Sequence, residues 1–152
     1  MPHPRLSILA LSVLAVACGK EADTAGETSA CGLETEDFSA GMSKDGDWGE
    51  LVFTVVSADP APPDKGDNTW NLEITQADGT ARDDLTVTVA PFMPEHGHGS
   101  TPPEFDVFAQ GSSGAYTTAT FDLFMGGVWD IVLQATATDV DDSSTFRLCV
   151  EG

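Results

Sequence analysis

Residues 129–135 read WDIVLQA, and this stretch decides the fold. Large apolar or aromatic side chains stand at every second position, and Asp130, Val132 and Gln134 occupy the positions between them. Because the side chains of a β-strand point alternately to the two faces of a sheet, a period of two predicts a strand with one buried face.

Six further segments have the same alternation and are separated by turns rich in Gly, Pro and Asp. Their inward-facing positions are Leu51, Phe53 and Val55; Trp70, Leu72 and Ile74; Leu85, Val87 and Val89; Phe105 and Val107; Phe121, Leu123 and Met125; and Phe146, Leu148 and Val150. Seven short strands in about 100 residues are typical of an immunoglobulin-like sandwich. We therefore expect an all-β domain over residues 31–152, an immunoglobulin-like sandwich of about seven antiparallel strands.

The N-terminal residues have the layout of an export signal. Arg5 is followed by Leu6–Ala17, an uncharged and mostly apolar run of twelve residues, whereas a membrane-spanning helix needs about 20. The run ends in AVACG at residues 15–19, which resembles the lipobox of bacterial lipoproteins. We expect residues 1–17 to be a lipoprotein signal peptide and Cys18 to be lipidated, which would hold the protein at a membrane. The alternative is plain secretion, with Cys18 a free thiol.

The resemblance to lipoproteins also implies a location. Gly19 stands where an Asp tends to retain such proteins at the inner membrane. We therefore expect a lipid-anchored protein of the cell envelope, at the outer membrane on its periplasmic or surface face.

Residues 18–30 contain no large apolar side chain and predict a flexible tether before the domain. Since residues 1–17 carry one arginine and no acidic residue, their removal moves the formal net charge from −19 to −20. A chain this acidic, with no basic patch, repels the phosphates of nucleic acid, so we expect no nucleic-acid partner.

Two cysteines remain besides Cys18, namely Cys31 and Cys149. Export places them in an oxidising compartment, where an even pair predicts a disulfide. Cys149 alternates with Leu148 and Val150 and so points away from the core, where a bonded cysteine is easier to explain than a packed one. The alternative is a pair of free thiols.

One loop has the composition of a binding site. Residues 93–99 read MPEHGHG and contain both histidines that remain after export. In an extended backbone, His96 and His98 direct their imidazoles to the same side. Met93 adds a thioether, and thioether with imidazole suits copper better than calcium or magnesium.

A fourth candidate ligand follows from the strand order. If the third, fourth and fifth predicted strands alternate in direction, the loops after the third and the fifth share one end of the sandwich. The second of these loops begins at Met125, which is therefore the fourth candidate ligand.

Several motifs between Pro91 and Leu133 occur together in a known family. They are Met-Pro-x-His-Gly-His, Gly114-x-Tyr116 and Phe124-Met125-x-Gly127-x-Trp129-x-Ile131. They resemble the YtkA-like domain and the related FixH-type exported β-sandwiches. The resemblance implies an immunoglobulin-like fold, a connection with copper or oxidase biogenesis, Met93, His96, His98 and Met125 as metal ligands, and Tyr116 and Trp129 as framework.

Other interpretations stand beside the copper site. Packing alone explains Met125, and the histidines can be ordinary loop residues, which leaves a metal-free structural or protein-interaction module of the envelope. Asp45–Asp47 and Asp139–Asp142 lack the spaced oxygen ligands of a calcium loop and predict solvated turns. The chain has no Gly-x-Ser-x-Gly motif, and both histidines share one loop, so we expect no enzyme.

Overall fold

The structure is a computed structural model that describes Cys31, residues 35–111 and residues 113–152. The predicted signal peptide, Cys18 and the tether lie outside these residues. The described part is all-β and contains no helix, so it offers none long and apolar enough to cross a membrane. Its ten strands are β1 (Met42–Asp45), β2 (Leu51–Asp59), β3 (Gly66–Gln76), β4 (Thr86–Met93), β5 (His98–Gly99), β6 (Phe105–Ala109), β7 (Ala115–Thr118), β8 (Phe121–Leu123), β9 (Gly127–Thr136) and β10 (Asp141–Val150).

All strand pairs are antiparallel, and they follow one path in the order β1-β2-β3-β7-β6-β4-β9-β10, with β5 on β4 and β8 on β3. The path nearly closes on itself, because the segment around Glu36 bridges β10 at Leu148 and the Asp47 amide donates to the Ser143 carbonyl at 2.7 Å. The predicted fold class, an all-β immunoglobulin-like sandwich, is confirmed.

The alternating positions identified in the sequence form the core, except that Phe105 and Met125 are only partly buried against it. Among them the side chains of Phe53, Trp70, Phe121, Trp129 and Phe146 are completely buried. Trp70 stands edge-on to Phe121 and Phe146, with ring centroids 5.8 and 6.0 Å apart. Such pairs contribute about 0.5–1.5 kcal/mol beyond the area that they bury.

The three strands that the sequence did not predict are β1, β5 and β7. β1 is an edge strand with no fully buried side chain, β5 has two residues, and β7 has four. Each forms because its backbone groups find partners on a neighbouring strand. Backbone pairing leaves little trace in the side-chain pattern when a strand is this short.

Cys31 and Cys149 form a disulfide, with Cα atoms 5.4 Å apart and a sequence separation of 118. Leu148 and Val150 are buried on either side of the half-buried Cys149. The bond therefore lies on the outer face of β10 and ties the start of the described chain to its last strand.

The expectation of a solvated turn at residues 139–142 is wrong for Asp142, which is completely buried. Its carboxylate accepts hydrogen bonds, 2.9–3.0 Å long, from the backbone N–H groups of Trp48, Glu50, Leu51 and Ser143. Burial raises the pKa of this carboxyl and the N–H bonds lower it; the bonds prevail, so its pKa lies below the ordinary value. Asp142 thus holds the loop between β1 and β2 against the start of β10.

Asp139, in the same turn, is held by Arg82. The buried guanidinium binds Asp84 through Nε at 2.8 Å and Asp139 through Nη2 at 2.9 Å. Hydrogen bonds to Asp84 and then to Asp139 raise the pKa of the guanidinium. Arg82 therefore ties the connection between β3 and β4 to the turn between β9 and β10.

Tyr116, on β7, is completely buried, and its hydroxyl group serves two backbone groups. It donates a hydrogen bond to the Arg82 carbonyl at 2.7 Å and accepts one from the Leu85 N–H at 3.3 Å. The tyrosine therefore fixes the chain as it enters β4, the strand that leads to the loop with His96 and His98.

Replacing Tyr116 by phenylalanine should lower the free energy of unfolding by about 1–3 kcal/mol, because two buried backbone groups lose their partner. Urea unfolding monitored by tryptophan fluorescence measures the change. Thr117→Ser, at the neighbouring outward position of β7, is the control and should have a much smaller effect. A Tyr116→Phe variant as stable as the parent would contradict the role given to the hydroxyl.

Candidate functional site

The histidine loop is a tight hairpin between β4 and β5. The amide groups of His96 and Gly97 both donate to the Met93 carbonyl, at 3.2 and 2.9 Å. Gly97 has φ +69°, a left-handed conformation that glycine adopts without strain. Pro94 occupies the second position of this turn, which its fixed φ of about −65° favours. The sequence between the two strands thus forms a defined turn.

The two imidazoles lie together at the surface. His96 and His98 are both exposed, and their ring centroids are 5.5 Å apart with the planes tilted by 40°. Two nitrogens that bind one metal ion lie up to about 4 Å apart, since each metal–nitrogen bond is about 2 Å long. Because ring nitrogens lie on the perimeter of the ring, the observed spacing is compatible with a shared ion.

Met93 lies on the core side of the same hairpin. It pairs directly with His98 across the β4–β5 ladder, a position in which two side chains share a face with Cβ atoms about 5 Å apart. Its side chain is completely buried, and its Cε would lie 2.7 Å from a Cβ added at Gly127. The thioether therefore packs between β4 and the start of β9, below the exposed imidazoles.

Met125 lies in the loop between β8 and β9, partly buried against the core. Its carbonyl accepts a hydrogen bond from Nε1 of the buried Trp129 at 3.0 Å. The structure therefore brings the two histidines together at the surface. It buries Met93 completely in the core and Met125 partly against it.

The loops after β4 and β8 meet at one end of the sandwich, as the strand order predicted. β4 is antiparallel to β6, which is antiparallel to β7, and β7 and β8 both run antiparallel to β3. β8 therefore runs in the same direction as β4. The Ser100 hydroxyl, just after β5, donates to the Asp122 carbonyl of β8 and ties the two segments together.

Phe124 belongs to this site, although the sequence analysis gave it no role beyond a family motif. Its ring stacks on His98 with centroids 5.4 Å apart and planes within 25°, and it meets Trp129 edge-on at 5.5 Å. The sequence contained one signal for this contact: the strand order places the loops after β4 and β8 close together, so a residue near Met125 could contact His98.

Within the described ranges, no group of three or more His, Cys, Asp or Glu side chains could hold a metal ion. The candidate ligands at this end of the sandwich are thus the two imidazoles and the two thioethers.

A groove of about 750 Å³ opens at the opposite end of the sandwich, between the β1–β2 loop and the β9–β10 turn. Trp48 lines it and is 78% exposed. Glu50, Asp139 and Asp141 supply carboxylates along its wall. The sequence analysis did not identify this groove, because its two walls come from loops about 90 residues apart.

The all-β fold, with His96 and His98 exposed together at one end, defines a class of protein: a small immunoglobulin-like β-sandwich module. Residues 49–134, more than half of the 152, match the YtkA-like family. The chain belongs to the YtkA-like family. The matched region runs from the β1–β2 loop into β9 and includes both histidines and both candidate methionines. No curated protein and no solved structure matches the chain.

Proposed function

We propose that this protein is a lipid-anchored module of the cell envelope that binds copper through His96 and His98. The observation that carries the proposal is the pair of exposed imidazoles, 5.5 Å apart, on a hairpin fixed by its own backbone hydrogen bonds. A hairpin that is ordered before the ion arrives loses less conformational freedom on binding than a floppy loop does.

The choice of copper rests on the neighbouring thioethers. Imidazole binds several transition metals, whereas thioether sulfur favours Cu(I). Met93 shares a face of the hairpin with His98, and Met125 lies in the adjoining loop. Met93 would have to turn out of the core to reach an ion, so we assign the first contacts to the histidines and a supplementary role to the thioethers.

The anchor and the location belong to the same proposal. A signal peptide over residues 1–17, a lipidated Cys18 and a tether over residues 18–30 would carry the domain to the outer membrane. The role proposed is binding and handling of the metal, with no catalysis. The partners would be the membrane through the lipid, the metal ion and an envelope protein that exchanges it.

The test is a titration of the purified protein with Cu(I) and Cu(II), each against a competing chelator. Replacing both histidines by alanine should weaken binding by more than about 100-fold, since loss of second-shell partners alone costs 10–100-fold. Glu95→Gln, an exposed position of the same loop, is the control and should leave the affinity unchanged. Equal affinity in the parent and the double histidine variant would remove the copper assignment.

A second candidate function is metal-free interaction with another envelope protein, and the exposed Trp48 favours it. Large aromatic side chains are enriched at protein interfaces, and the surrounding carboxylates would suit a partner with basic groups. This candidate predicts that the protein binds no copper. The titration therefore separates the two.

A further inference from the structure

The two histidines of the candidate site, His96 and His98, are held in different ways. His98 lies in β5, pairs with Met93 across the ladder and contacts two rings, those of His96 and Phe124. His96 lies in the turn itself, where its backbone amide bonds to the Met93 carbonyl. Among the ring contacts of the described residues, His96 has His98 as its single partner.

Phe124 is itself held by the core. Its ring, 44% exposed, meets the completely buried Trp129 edge-on at 5.5 Å. Trp129 is fixed in turn by its position on β9 and by the hydrogen bond from Nε1 to the Met125 carbonyl at 3.0 Å. A series of contacting rings therefore runs from the buried tryptophan through Phe124 to the exposed imidazole of His98.

Such a series limits the rotation of the last ring. A side chain on an exposed two-residue strand would ordinarily sample several rotamers, and ordering a rotamer-rich side chain on binding costs free energy. An offset-stacked aromatic pair is worth about the same amount, which is enough to hold the imidazole in one orientation beforehand. His96, whose ring contacts in the described residues are limited to His98, keeps more freedom.

We propose that Phe124 is a positioning residue of the metal site: it holds the His98 imidazole as the fixed ligand and leaves His96 as the adjustable one. The inference rests on the proposed copper function and adds a division of labour between the two histidines. His98 would retain the ion during exchange, while His96 would move to admit or release it.

Phe124→Leu tests the proposal, because leucine keeps an apolar side chain at this position but cannot stack. The copper affinity should fall about tenfold, at the lower end of the range for lost second-shell partners. Phe124→Tyr restores a stacking ring and should restore the affinity. Phe108→Leu is the matched control, because Phe108 is a 53% exposed phenylalanine on β6; it should leave the affinity unchanged.

A second measurement needs no metal. In the NMR spectrum of the metal-free protein, the ring protons of His98 should be displaced by the ring current of Phe124. Phe124→Leu should return them toward the positions of an unstacked histidine, and Phe124→Tyr should keep the displacement. Ring-proton positions unchanged by Phe124→Leu would overturn the inference, as would an unchanged copper affinity in a protein whose histidines bind the metal.

The failures of the two proposals have different signatures. If the histidines do not bind copper, the double histidine variant and the parent titrate alike, while the ring-proton displacement still responds to Phe124→Leu. If only the positioning role is wrong, the double histidine variant loses copper, and Phe124→Leu leaves the affinity, the ring-proton positions or both unchanged.

Discussion

Replacing Asp142 by alanine should lower the free energy of unfolding by about 3–4 kcal/mol. Four backbone N–H groups lose their acceptor, and the N–H of Leu51 is buried, so water cannot easily replace it. Each buried donor left without a partner costs about 1–3 kcal/mol, and donors nearer the surface cost less. Urea unfolding of the parent and the variant measures the difference.

Asp141→Ala is the control for this substitution. Asp141 is exposed and its carboxylate accepts one hydrogen bond, from Gln134, so the loss should stay below about 1 kcal/mol. Asp142→Asn should fall between the two, because an amide presents N–H donors where the carboxylate accepted them. If the alanine variants at positions 141 and 142 were equally stable, the bonding role of Asp142 would be refuted.

The dependence of stability on pH follows from the lowered pKa of the Asp142 carboxyl. An unfolded aspartate has a pKa of about 3.9, so the stabilisation from the charged carboxylate is complete above that value. It is lost as the pH falls through the lower folded pKa. The parent should therefore lose more stability than Asp142→Asn between neutral pH and the acid range.

Removing the disulfide should have an effect of similar or larger size. For the sequence separation of 118 between Cys31 and Cys149, the chain-entropy relation gives about 4–5 kcal/mol. The variant that carries both Cys31→Ser and Cys149→Ser should accordingly unfold at a lower urea concentration than the parent. Using the double variant avoids leaving one unpaired thiol in the domain.

A reductant provides the matching control. It should destabilise the parent by about the amount that the double variant loses, and it should leave the double variant unchanged. Coinciding urea transitions for the parent under oxidising and reducing conditions would show that the bond contributes nothing to stability.

The sequence predicted those parts of the fold that depend on local alternation. Trp129, Ile131 and Leu133 follow one another at period two, and the structure buries all three. The meeting of the β4–β5 and β8–β9 loops was also predictable, because antiparallel order fixes the end at which each loop emerges.

What the sequence could not predict depends on partners distant along the chain. Asp142 has the appearance of a turn residue, and the donors that bury it lie 91–94 residues earlier. The stacking of Phe124 on His98 likewise depends on how two loops fold back toward each other. In both cases the residue type shows which kind of contact the side chain can make, and only the three-dimensional structure shows which residue it contacts.

The candidate ligands divide in the same way. His96 and His98 lie together because a single residue, Gly97, separates them in one hairpin, so their closeness follows from the sequence spacing. The depth of Met93 was not predictable from its place in the loop motif. It depends on the glycine at position 127, which leaves room for the methyl group of the thioether.

The disulfide also determines how a mechanical load would enter the domain. The chain before Cys31 joins the folded part at a covalent link to Cys149, near the end of β10. Tension applied from the N-terminal side is therefore delivered to a strand that pairs with β9 along ten residues. While the bond is intact, such a force reaches β10 through a covalent link; after reduction it reaches β10 through noncovalent contacts, among them the bridge between Glu36 and Leu148.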